Sequence, residues 1–179
     1  MKPQLLAITL GLKGSYFNKI NRCWYILDKK FNINYISSRS PKPHITLISG
    51  YSRDIKAVVN KLKKIKTKKF SIKSIGLSLL LMRDPLIYIR WEKNKKLTKL
   101  YQNIEKKFNS SLFLQTKFSK YPFWIPKTTI AYKDFKLKNI EKIYKSLKRL
   151  SITSNAFVEK IELMTLSLKY GEKIIFSKN

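Results

Sequence analysis

The sequence predicts an α+β fold, bilobal, with two pseudo-symmetric halves, each a small antiparallel sheet backed by helices, and a central cleft between them. Three observations predict it. Pro43-His44-Ile45-Thr46 is echoed by Pro126-Lys127-Thr128-Thr129, with 83 positions separating His44 from Lys127 and likewise Thr46 from Thr129. A similar succession of apolar periodicities follows each copy. A hydrophobic content of 44% in 179 residues, with only five Gly and six Pro, fits one compact unit over 1–179, built from repeats at roughly 1–92 and 93–179 without a disordered linker.

Residues 4–10 read as a buried strand broken by Gly11 and Gly14, with Ser15 as the N-cap of a helix reaching about Asn32. Phe17, Ile20, Trp24, Leu27 and Phe31 form its apolar stripe at spacings of three and four. Pro41 and Pro43 force extended backbone into a strand from His44 to Ser49. Asp54 starts a second helix with an apolar stripe at Ile55, Val58, Val59, Leu62 and Ile65 and lysine outside. Residues 69–81 read as a long strand, Arg83-Asp84-Pro85 as a turn, and Leu86 to Trp91 as the returning partner. The second half follows with a helix from about Lys95 to Asn109, an aromatic irregular segment, a strand from Lys127 to Tyr132 and a helix from about Leu137 to Leu150. A long strand at 156–169, a turn at Tyr170-Gly171 and a final strand from Lys173 to Ser177 complete it. Both halves read helix, motif strand, helix, long strand, hairpin partner.

The net charge of +29, from 39 Lys+Arg against 10 Asp+Glu, exceeds what solubility asks of a domain this size and suits a polyanionic partner. Cys23 is the single cysteine, so it has no internal disulfide partner; it reads as core in a reducing compartment. The N-terminal apolar run is interrupted by Gln4 and Thr9 and predicts neither a signal peptide nor a membrane span, so a soluble, cytoplasmic monomer is expected. One histidine, one cysteine and scattered carboxylates show no metal-ligand spacing, and no metal or other cofactor is expected.

On a strand, residues i and i+2 share a face, so His44 points with Thr46 and Lys127 with Thr129. Each copy of the motif thus presents a proton-handling or cationic group beside a hydroxyl. With the flanking Trp124-Ile125 and Ile130-Ala131-Tyr132, the two copies resemble the paired His-x-Thr motifs of the 2H phosphoesterase superfamily, also called the 2′-5′ RNA ligase family. The resemblance spans essentially the whole chain. It implies a bilobal α+β fold, metal-independent cleavage of phosphodiesters such as RNA 2′,3′-cyclic phosphates, 2′-5′ linkages or cyclic nucleotides, and His44, Thr46 and Thr129 as catalytic residues. Lys127 departs from the pattern, which has histidine there, and enters only as a substitute.

In-line hydrolysis needs a base on the attacking water and an acid on the leaving ribose oxygen, on opposite sides of phosphorus. His44 is expected as base, with Thr46 and Thr129 bonding the nonbridging oxygens. Lysine has a reference pKa of about 10.4, and a nearby phosphate would raise it, so Lys127 is expected protonated, as an electrostatic clamp and inefficient acid. The competing reading makes Lys127 a solvated strand-end residue and both threonines simple strand formers.

Tyr51, Tyr121, Trp124 and Tyr132 flank the motifs as candidates to stack on bases, with burial in the core as the alternative; Phe123 reads as core. The run from Lys61 to Lys69 reads as a solvated helix face that can attract RNA without specificity. Arg53, Arg83 and Arg90 are candidate phosphate contacts that the sequence does not rank. The loop Ser37-Ser38-Arg39-Ser40 could rim the cleft, with Arg39 as a further phosphate contact, though an ordinary solvated connection is the more economical reading. Three functions follow: a phosphodiesterase acting on RNA or a small nucleotide, a binding protein using the same basic cleft with weakened catalysis, or a basic protein that coats nucleic acid.

Overall fold

The computed structural model describes residues 2–167 and 171–178, except for the side chain of Glu159. The chain forms β1 (Gln4–Lys13), α1 (Ser15–Phe31), β2 (His44–Ser52), α2 (Ile55–Lys63), β3 (Phe70–Leu80), β4 (Leu86–Trp91), α3 (Lys95–Phe108), β5 (Lys127–Tyr132), α4 (Ile140–Lys148), β6 (Asn155–Ser167) and β7 (Gly171–Lys178). Short 3-10 turns occupy Lys117–Ser119 and Leu137–Asn139. The fold is α+β, as expected.

The helix boundaries follow from local chemistry. Asp54 caps α2 by accepting from the Ala57 amide at 2.8 Å, and Asn94 caps α3 through the Leu97 amide at 2.9 Å. Ser15 does not cap α1: Gly14 holds that position with no side-chain bond, and Ser15 is the first helical residue. Tyr16 and Cys23 are buried with Ile20, Trp24 and Leu27, whereas Phe17 and Phe31 are half-buried at the margins of the stripe. Burial pushes the Cys23 thiol up to about 12, which leaves it an inert core residue. At α4 the α-helix starts at Ile140 because residues 137–139 turn as 3-10.

The strands form one antiparallel sheet in the order β2-β1-β6-β3-β4-β5, with β7 on β6. β3 and β6 meet only over Phe70–Lys73 and Asn155–Val158; beyond that stretch β3 takes β4 and β6 takes β7. The sheet therefore divides into two arms, β2-β1-β6-β7 and β3-β4-β5, each ending in a motif strand.

This topology corrects the expected repeat. The repeating unit is strand, helix, motif strand, helix, long strand: β1-α1-β2-α2-β3 and then β4-α3-β5-α4-β6, with β7 added. The third strand of each unit crosses into the other arm, since β3 pairs with β4 and β6 pairs with β1. Each arm is thus made from both halves of the sequence. Gly11 does not end the first strand either; β1 runs through it to Lys13. Of the expected Tyr170-Gly171 turn, Tyr170 lies outside the described residues, and Gly171 begins β7 at φ 77°. A Cβ on Gly171 would lie 2.6 Å from the Arg39 carbonyl oxygen, so only glycine fits where the 32–43 loop docks.

Candidate active site

His44 opens β2 and Lys127 opens β5, the two ends of the strand order. The end strands are brought together by Trp124, whose indole Nε1 donates to the Thr46 carbonyl at 3.1 Å. Trp124 is 3% exposed and stacks on Tyr101 at 4.0 Å between centroids with 5° between planes. That corrects its candidacy as a base-stacking residue: it clasps the two arms from the interior. Trp124→Ala should cost about 3–5 kcal/mol of stability, read from the chemical-denaturation midpoint, through lost packing and an unpaired carbonyl.

A cleft of about 950 Å³ opens between the arms, bordered by Lys127, Thr129, Tyr51 and Tyr132 among others. A smaller recess beside it, about 80 Å³, is lined by His44, Thr46 and Thr129. Thr129, Ile36, Ser40 and Glu172 border both spaces, so the two motifs line adjoining volumes.

The His44 side chain is 14% exposed, and its Nδ1 lies 3.0 Å from the Lys42 carbonyl. A carbonyl only accepts, so Nδ1 carries the hydrogen and Nε2 keeps its lone pair. Glu172 Oε2 is 3.9 Å from Nδ1 and accepts from the Ser40 hydroxyl at 2.6 Å. When Nε2 gains a proton, this carboxylate faces the resulting imidazolium. Behind them, Lys42 Nζ reaches the buried Glu162 at 2.5 Å, and Ser177 donates to the same carboxylate oxygen. A Cβ on Gly11 would come within 3.3 Å of the other Glu162 oxygen, so glycine there leaves the carboxylate its slot.

Lys127 is half-buried at the cleft wall, with its ammonium 5.9 Å from the Phe118 ring centroid. Among the described residues no carboxylate pairs with it. Burial pushes its ammonium down from 10.5 to about 8. The expectation of a value at or above the reference one is therefore corrected, while that of a protonated lysine at neutral pH stands: the protein supplies dehydration without a counter-charge, and dehydration disfavours the cation. Lys127 is still mainly protonated at pH 7, but as a stronger acid than free lysine.

Of the aromatic candidates, Tyr51 and Tyr132 line the cleft. Tyr121 does not; it is 72% exposed, with its amide donating to Glu105. Phe123, expected in the core, is exposed with the Lys117 ammonium over its ring. The 37–40 loop is more than a solvated connection. Ile36, Arg39 and Ser40 border the cleft, and the Arg39 carbonyl accepts from the Glu172 amide at 2.8 Å. Sequence reasoning passed over Lys42, Glu162 and Glu172. In a chain so poor in acids, a glutamate directly before the expected last strand was the available signal, yet its partner His44 lies 128 positions away.

Among the described residues no three His, Cys, Asp or Glu side chains cluster as a metal site requires, and no helix is long and apolar enough to cross a membrane. No protein-family model and no curated protein sequence matches the chain. Solved structures do. E. coli LigT complexed with 3′-AMP aligns with a TM-score of 0.63 at 16% identity, covering 99% of this chain and 98% of that one. E. coli LigT complexed with phosphate gives 0.59 at 12% identity over 99% and 98%. A crystal structure of a phosphoesterase gives 0.60 at 12% identity over 98% and 97%. From one end to the other, this chain has a LigT-like fold.

Proposed function

We propose that the chain is a phosphodiesterase that opens 2′,3′-cyclic phosphates at RNA ends or on nucleotides, or cleaves related 2′-5′ linkages, without a metal. The observation that carries this is Thr129, which borders both the space holding Lys127 and the recess holding His44 and Thr46. A phosphate at that junction meets an imidazole from one arm, an ammonium from the other, and two hydroxyls. Water attacks phosphorus and gives its proton to His44 Nε2. The bond from phosphorus to one ribose oxygen breaks as Lys127 Nζ protonates that oxygen. Thr46 and Thr129 hold the nonbridging oxygens, whose charge is retained throughout. The 3′-AMP and phosphate held by the similarly folded E. coli LigT are ligands of the chemistry this site would take.

Glu172 acts through His44 as a positioning residue. Glu172→Gln keeps the shape and removes the charge facing the imidazolium, and should lower kcat by about fivefold with KM little changed.

The lysine in place of a second imidazole favours a second reading, a binding protein that holds the nucleotide without turning it over. Incubation with a 2′,3′-cyclic mononucleotide, followed by phosphorus NMR, separates them. Ring-opened monophosphate supports the enzyme; saturable binding with no product over many hours supports the binding protein and ends the enzymatic reading.

A further inference from the structure

Beyond the far end of β2 lies a second depression of about 480 Å³, bordered by Arg53, Phe113, Ser110 and Ser111. It is joined to the cleft by an aromatic ridge. Tyr51, on the cleft side, and Phe113, on the depression side, have ring centroids 6.1 Å apart with 31° between planes. The Arg53 guanidinium lies over Phe113, 5.9 Å from its centroid. Both rings are open to solvent, Phe113 at 41%.

The ridge is rigid. Tyr51 and Phe113 exchange two backbone hydrogen bonds, 2.8 and 2.9 Å, which fasten the segment after α3 to β2. A Cβ at Gly50 would stand 2.9 Å from the Phe113 carbonyl oxygen, so glycine there admits the close approach. The charge is also uncommitted. Asp54 adjoins Arg53 in sequence but spends its carboxylate on capping α2, and no described carboxylate pairs with the guanidinium. Lys61 brings a second cation to the border, donating to the Ser111 hydroxyl at 2.6 Å.

A solvent-exposed aromatic pair fixed on backbone, with an unpaired guanidinium over it and hydroxyls around it, has the chemistry of a stacking platform for single-stranded nucleic acid. Bases lie on the rings and the cations meet the phosphates. The geometry points to this depression as a subsite for nucleotides upstream of the reacting end, which makes the substrate an RNA strand rather than a free cyclic mononucleotide. The inference rests on the phosphodiesterase reading of the adjoining cleft. It also ranks the arginines. Arg53 joins a ridge that leads into the cleft, whereas Arg83 and Arg90 are exposed and border neither space.

The test compares adenosine 2′,3′-cyclic phosphate with a six-nucleotide oligoadenylate ending in the same group. One stacked base corresponds to roughly 5- to 150-fold in affinity. Wild type should therefore show kcat/KM at least about fivefold higher on the hexamer. Phe113→Ala and Arg53→Gln should erase most of that advantage and leave mononucleotide turnover unchanged. Arg53→Gln should also flatten the salt dependence of hexamer binding by about 0.7 in log–log slope, while Lys142→Gln on α4, the same charge change elsewhere, should keep the length advantage. Equal kcat/KM on the two substrates, or an advantage that survives both substitutions, overturns the subsite. If wild type cleaves neither substrate, the phosphodiesterase reading fails, and anisotropy with a labelled hexamer bearing a 3′-phosphate still decides the subsite. Weaker binding by both variants upholds it; unchanged binding overturns it.

Discussion

His44→Ala should lower kcat/KM on a 2′,3′-cyclic nucleotide by roughly 10²–10⁴-fold, the range of a general base, while binding of a nucleotide monophosphate changes only a few-fold. The expectation comes from how the imidazole is held. With Nδ1 donating to the Lys42 carbonyl and Glu172 beside it, the ring is left with Nε2 as its one basic nitrogen, and His44 borders the same recess as Thr46 and Thr129. His44→Gln preserves size and polarity and should be as inactive, because an amide takes no proton near neutral pH. Unchanged melting of both variants would show that the loss is chemical. Full turnover by either would remove His44 from the mechanism.

Lys127→Met should lose a comparable factor, and it should also make the protein more stable. In the folded chain the ammonium sits at about 8 against 10.5 in its ordinary state. Between those pH values the unfolded chain binds more protons, so wild-type stability rises as pH climbs from 8 to 10.5. Below that window the folded protein bears the full cost of a dehydrated cation, at most about 3 kcal/mol, which Met relieves. The variant should melt several degrees higher at pH 7 and lack the alkaline gain. In wild type, kcat/KM should fall above about pH 8 as the acid loses its proton. The kcat limb should lie higher, because bound phosphate favours the ammonium. Lys127→His should move the alkaline limb to lower pH, towards an imidazole value of about 6.5, and keep activity. A wild-type profile flat from pH 7 to 10 would exclude Lys127 as the acid.

The paired motif was legible because strand periodicity is local: His44 with Thr46, and Lys127 with Thr129, share faces by covalent geometry alone. Helix starts at Asp54 and near Lys95 were legible for the same reason, since caps and stripes lie within a turn or two. Trp124 was ambiguous because an aromatic beside a motif serves equally as platform or clasp. Only Tyr101 beneath its ring and the Thr46 carbonyl at its nitrogen distinguish them. Glu172 and the 37–40 loop were not legible, because their roles depend on contacts across more than 125 positions.

By itself the sequence determined a duplicated α+β chain, a strongly cationic surface and four motif residues presented in pairs. These follow from backbone stereochemistry and formal charge, which need no partner. Tertiary structure alone decided that β3 and β6 exchange arms, so that each wall of the cleft is built from both repeats, and that burial lowers the Lys127 ammonium from 10.5 to about 8. Strand partnership and dehydration depend on which distant segments exclude water from each other, and a one-dimensional pattern does not carry that information.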